Sequence, residues 1–174
     1  MKGEERTMII TRRTIQLLKE RDEETFERVY DEYVNLVYYI CYSITDDKQA
    51  SEDLTQDTFV KMMNSLSNYE ECGKFKQYIS QIARNLSKNY VTRNKTNDVS
   101  YDDSVLISHQ DQNKTGKVMM FIEECLSKEA SEIVILKIVH NFKFKEIAEL
   151  LGISIGKVQS IYYQAIKDLK KEIK

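Results

Sequence analysis

Residues 144–166 read FKEIAELLGISIGKVQSIYYQAI. Apolar side chains recur here at three- and four-residue steps, break at Gly152-Ile153-Ser154, and resume. The spacing predicts two helices, Lys143 to Leu151 and Ser154 to Lys171, joined by a tight turn that needs its glycine. Ala148 is small where one helix must cross another, and Ile147, Leu151, Ile153 and Val158 are apolar where the pair must pack. Such a segment fits a helix-turn-helix, whose second helix enters a DNA major groove with its N-terminal residues at the base edges. A helical hairpin that merely packs is the alternative.

Working outward, Lys117 to Leu126 and Glu129 to His140 read as two further helices, giving a C-terminal helical domain over 117–174. Between Asn94 and Thr115 the periodicity fails, and Asn, Ser, Thr and Gln accompany Asp98, Asp102, Asp103 and Asp111. That composition predicts a flexible acidic linker, taken as 96–116. Ahead of it lies a second helical domain, 1–95. Phe26, Val29, Tyr30, Tyr33, Leu36, Val37 and Ile40 make a stripe along a helix from Glu23 to Ser43, with a shorter helix at Ile15 and Leu18 before it. Tyr38, Tyr39 and Tyr42 continue the same stripe as core and core edge. Leu54, Thr58, Met62 and Leu66 mark a helix from Lys48 to Ser65, with Asp46 and Asp47 as candidate N-caps. Phe75, Ile79, Ile82, Leu86 and Tyr90 form the stripe of a third long helix. With no proline and only 5 glycines in 174 residues, a turn-rich β protein is disfavoured. The fold class is therefore all-α, two small helical domains joined by a flexible linker.

Charge is segregated along the chain. Lys74 to Lys95 (KFKQYISQIARNLSKNYVTRNK) holds six Lys or Arg and no Asp or Glu, in a protein of net charge −2. Asp46 to Asp57 (DDKQASEDLTQD) holds five acidic residues against one Lys. Single-sign blocks side by side suggest one anionic and one basic partner, against the plainer reading of solvated helix faces. Gln77, Gln81, Arg84, Asn85 and Lys88 share the face opposite the apolar stripe, where amides and cations can meet an unpaired nucleic-acid strand.

Other chemistries are disfavoured. Cys41, Cys72 and Cys125 are scattered and odd in number, which argues for reduced thiols in a cytoplasmic protein. The segment MKGEERTMIITRR has no apolar run of signal-peptide length, and no stretch of about 18 apolar residues suggests a membrane span. His109 and His140 lack metal-ligand spacing to each other or to any cysteine. GISIGK (152–157) lacks a spacer residue and the Ser or Thr of a phosphate-binding loop. No nucleophile-and-base constellation is legible, so no enzyme, metal or cofactor is expected.

From Leu17 to Leu169 the chain resembles the extracytoplasmic-function (ECF) sigma factors of bacterial RNA polymerase. Three blocks carry the resemblance in order: SEDLTQDTF (51–59), FKQYISQIARN (75–85) and EIAELLGISIGKVQSIYYQA (146–165). The first is similar to the family's acidic helix that docks on the clamp helices of the largest polymerase subunit. The resemblance implies a docking element of Glu52, Asp53, Gln56, Asp57 and Phe59, with Leu54 and Phe59 packing beneath the polar edge. Its partner would be rich in Arg.

The second block looks like the promoter-melting helix, with Tyr78 where the family usually has Trp and Asn89 where it usually has Asp. It implies contacts to the minus-ten strand from Lys74, Lys76, Gln77, Tyr78, Gln81, Arg84, Asn85, Lys88 and Arg93. Asn64, Ser67 and Asn68 would lie near a flipped base. The third block is similar to the reader of the minus-thirty-five element and implies contacts from Ser154, Gly156, Lys157, Gln159, Ser160, Tyr163 and Lys167. Where the family commonly shows Thr-Val-Lys-Ser-Arg, this chain has Lys157, Val158, Gln159, Ser160 and Ile161, and Gln164 stands where Arg is frequent. Three cations are lost and one gained, so phosphate contacts should be fewer or moved. The resemblance further implies promoter DNA, core polymerase (the clamp helices and the flap of the second-largest subunit) and an anti-sigma protein as partners, and a cytoplasmic, nucleoid-associated location. The competing reading is a helix-turn-helix regulator that binds duplex DNA without docking on polymerase.

Overall fold

The computed structural model describes residues 8–95 and 114–172. The chain divides into two compact units, Met1–Asp102 and Asp103–Lys174. The predicted linker lies almost wholly outside the described residues. Its last residues do not, because a helix already begins at Lys114 and takes in 114–116.

The first unit holds α1 (Arg12–Lys19), α2 (Glu23–Thr45), α3 (Lys48–Ser65), a single 3-10 turn (Leu66–Asn68) and α4 (Phe75–Lys95). The helix starts are chemically specified. Thr11 and Thr14 make a reciprocal capping box on α1, Asp22 accepts from the Thr25 amide, and Asp47 accepts from the Ala50 amide at 2.8 Å. Of the two candidate caps, Asp47 starts α3, whereas Asp46 closes α2 in the left-handed region at φ 57°. A short polar side chain tolerates that conformation.

Helix α2 packs against α1, α3 and α4, and α3 packs against α4. Val29, Val37, Ile40, Met62 and Ile79 are almost wholly buried between them. The inner face of α4 is rotated from the sequence reading. Phe75, Ile79, Ser80, Ala83 and Ser87 face inward, while Ile82, Leu86 and Tyr90 are half-buried. Small residues occupy the innermost line, and the larger apolar ones flank it. At that crossing the Cys41 thiol is buried close to Ser87, Thr55 and Thr58, and burial pushes its pKa up.

The second unit holds α5 (Lys114–Cys125), α6 (Lys128–Ile138), α7 (Phe144–Leu151) and α8 (Ile155–Glu172). Helix α6 packs against all three others, and four successive residues, Ile133 to Leu136, are fully buried. Burial on every side of that stretch places the middle of α6 at the centre of its unit. Its exit is anchored by Phe142, which is also fully buried and whose amide donates to the Leu136 carbonyl at 2.9 Å. Lys137 Nζ donates to the Phe142 carbonyl at 3.1 Å and lies over the Phe144 ring. Gly152 ends α7 at φ 72°, and its amide reaches the Ala148 carbonyl at 2.9 Å. A side chain there would be strained, which is why the turn needs glycine.

Candidate functional site

Three surfaces gather the residues singled out in the sequence. On α3, Glu52, Asp53, Gln56 and Asp57 are all exposed, opposite the buried Ser51, Leu54, Thr55 and Thr58. One helix face thus offers three carboxylates and an amide together. Phe59 is not part of that outer edge. At 2 % exposure it lies 4.7 Å from the Tyr30 ring and edge-on to Phe26, because the α3 twist turns it toward α2. It lines an open hollow of about 510 Å³ together with the apolar Phe26, Tyr30, Val60 and Met63 and the polar Arg21, Glu23, Gln56 and Asn64. Sequence reasoning left Phe26 and Tyr30 in the core and passed over Met63. The signal was present: Val60 and Met63 follow Gln56 at four and seven residues, continuing the acidic face with apolar groups.

The second surface is the segment from Asn64 to Gly73 and the outer face of α4. Asn64, Ser67 and Asn68 are exposed. The segment is held by groups that the sequence reading did not select. Lys19 Nζ donates to the Tyr69 carbonyl at 3.2 Å, the Tyr69 hydroxyl donates to Glu71 Oε2 at 3.0 Å, and the Gly73 amide donates to Glu71 Oε1. Burial drives the Tyr69 hydroxyl's pKa up, and the bond to Glu71 adds to it. Tyr33, edge-on to Phe75 beneath, is pushed up to about 12 by burial, with Glu32 and Glu71 contributing. Tyr78 is half-buried, shares a 2.6 Å hydrogen bond with Ser65 Oγ, and lies 4.4 Å from the Tyr69 ring.

Along α4 and its approach, Lys74, Gln81, Asn85, Lys88 and Arg93 are exposed, while Lys76, Gln77 and Arg84 are half-buried. Gln81 donates to Asn85 at 2.9 Å, which fixes the two amides relative to each other. These groups therefore form one outward polar line rather than an even ring of charge.

The third surface is the outer side of α8. Ser154, Gly156, Lys157, Gln159, Ser160, Tyr163 and Lys167 are all exposed, and Val158, Ala165 and Leu169 are buried on the other side. Ser154 caps the helix by accepting from the Lys157 amide at 3.2 Å. Tyr163 is 62 % exposed, with its ring 6.1 Å from Phe144 and 5.5 Å from Tyr162. Gln164 donates to Asp168 at 3.0 Å, and Asp168 also accepts from Lys171 at 2.8 Å. These bonds, Lys171 first and Gln164 second, lower the Asp168 pKa. Lys157 Nζ is 2.7 Å from Glu129 Oε1 on α6.

Among the described residues no helix is long and apolar enough to cross a membrane. Comparison with known proteins finds the sigma-70 region 2 family over residues 29–96 and the sigma-70 region 4 family over 124–169. The chain is 28 % identical over 153 residues to the ECF RNA polymerase sigma factor SigM of Bacillus subtilis, covering 84 % of this chain and 93 % of that one. It is 22 % identical over 185 residues to SigW of the same organism, covering 96 % and 98 %. Among solved structures, CnrH in complex with the cytosolic domain of CnrY matches with a TM-score of 0.59 at 16 % identity, covering 93 % of this chain and 96 % of that one. RpoE of Bartonella quintana, in complex with the anti-sigma factor NepR, matches with a TM-score of 0.58 at 19 % identity, covering 85 % and 96 %.

Proposed function

The chain belongs to the ECF group of the sigma-70 family, alternative sigma factors that direct transcription, and from that premise we propose how its three surfaces divide the work. The exposed edge of α3 binds the clamp helices of core polymerase, with the apolar hollow beside it seating part of the same partner. The outer face of α4 and the segment from Asn64 to Gly73 bind the minus-ten strand. Helix α8 reads the minus-thirty-five element, and the flap of the second-largest subunit completes the contacts to core.

The observation that carries this reading is that the first unit presents an outward acidic edge and an outward cation-and-amide line on two different helices, α3 and α4. A regulator that only bound duplex DNA would have no use for the first of these.

Promoter opening breaks no covalent bond. It requires a surface that binds unstacked bases better than paired ones, so that binding energy offsets lost pairing and stacking. Aromatic stacking contributes about 1–3 kcal/mol per base, and the half-buried Tyr78 is the candidate platform. The exposed Asn64, Ser67 and Asn68 supply amide and hydroxyl groups beside it. On α8, Gln159 has the chemistry to pair with adenine, and Gly156, whose surroundings are open, leaves room for DNA to approach the backbone.

The test is to mix the protein with bacterial core polymerase and transcribe a random promoter library. A holoenzyme peak and transcripts that share two spaced elements are expected; neither appearing would sink the proposal. Binding to single-stranded minus-ten DNA is expected to weaken with salt at a logarithmic slope of about −2, because three cations (Lys74, Lys88, Arg93) are exposed among the described side chains, whereas all six would give about −4. A slope near zero would exclude α4 as the strand-binding surface. An inhibitory protein partner belongs to the same proposal. Recovery of the chain from unstressed cells without any protein that blocks its transcription would remove that part.

A further inference from the structure

Helix α8 is poor in cations where a DNA reader needs them. Between Ile155 and Ile166 its only Lys or Arg is Lys157, and that group is already engaged. Lys157 Nζ lies 2.7 Å from Glu129 Oε1, with both side chains about half exposed at 52 %. The contact crosses between helices and is set by their starts. Glu129 is in the first turn of α6, which Ser127 caps by accepting from the Ala130 amide, and Lys157 is in the first turn of α8, which Ser154 caps.

The two first turns share one sign preference, but the residues in them differ in sign. A carboxylate is favoured at a helix N-terminus and an ammonium is disfavoured there. Glu129 therefore suits its own helix and also compensates a lysine that sits at the wrong end of α8. Any DNA acceptor that takes Lys157 must displace Glu129 and then lie near an unpaired carboxylate.

We infer that Glu129 is a brake on duplex binding: it competes with DNA for Lys157, so the free protein holds the minus-thirty-five element weakly. The inference rests on the proposed role of α8 as the duplex reader. Its consequence is functional, because a factor whose own duplex affinity is held down depends on core polymerase to be brought to a promoter.

A double-mutant cycle isolates the pair. The full-length protein, Glu129→Gln, Lys157→Gln and the double variant are titrated against a fluorescent duplex carrying the minus-thirty-five sequence recovered from the promoter library. Glu129→Gln is expected to tighten binding by about threefold at low salt, the scale of an exposed ion pair, and the gain should shrink as salt screens it. With Lys157→Gln already present, the same change should give no gain. Equal tightening in both backgrounds would reveal a general loss of negative charge, and no tightening in either would remove the competition; each overturns the inference while leaving α8 as a DNA reader. If none of the four proteins bound the duplex, the reading of α8 itself would fall, and the inference with it.

Discussion

A protein carrying Asp53→Lys together with Gln56→Lys is expected to lose about 100-fold or more of its affinity for core polymerase while binding the minus-thirty-five duplex unchanged. Placing like charges across a docking surface costs several kcal/mol, and each 1.4 kcal/mol is a factor of ten. Both positions are exposed on α3 and opposite its buried face, so the fold has no reason to respond. Gel filtration with core polymerase and an unchanged melting curve are the measurements. Unaltered transcription by the double variant would remove the docking role of α3. Normal duplex binding alongside lost transcription would separate this reading from that of a regulator that never touches polymerase.

The second large effect is structural. Phe142→Ala is expected to unfold the C-terminal unit and leave the N-terminal unit folded. Phe142 is fully buried where α6 turns into α7, and removing a buried Phe side chain costs about 3–5 kcal/mol. A helical core of fewer than about 70 residues rarely supplies more than roughly that amount in total. The two units have separate cores and lie on separate stretches of chain. Thermal unfolding followed by circular dichroism should show one transition surviving and one lost, and duplex binding should vanish with it. Loss of all helical signal in one step would mean that the units fold only together.

Both predictions lean on elements that the sequence made legible for physical reasons. Helix α3 was read from Lys48 to Ser65 and is found there, because an aspartate cap and a three-and-four stripe fix its start and register. Gly152 marked the turn between α7 and α8 because only glycine sits easily at φ 72°. What escaped were properties set by neighbours. Ile82 and Leu86 were given the innermost line of α4 on hydrophobicity, but the helix crossing admits Ala83 and Ser87 there. The bonds of Lys19 to Tyr69 and of Glu129 to Lys157 join residues distant in sequence, with no local pattern to announce them.

The crossing of α2, α3 and α4 over Cys41 has a practical consequence. The thiolate is the reactive form, so a thiol that burial keeps protonated reacts only when the helices part. Cys72, by contrast, is exposed. The protein thus contains both a start mark and a stopwatch: with the half-buried Cys125 of the second unit replaced by Ser, a thiol reagent captures Cys72 at once, and the delay before it captures Cys41 times the breathing of the first unit.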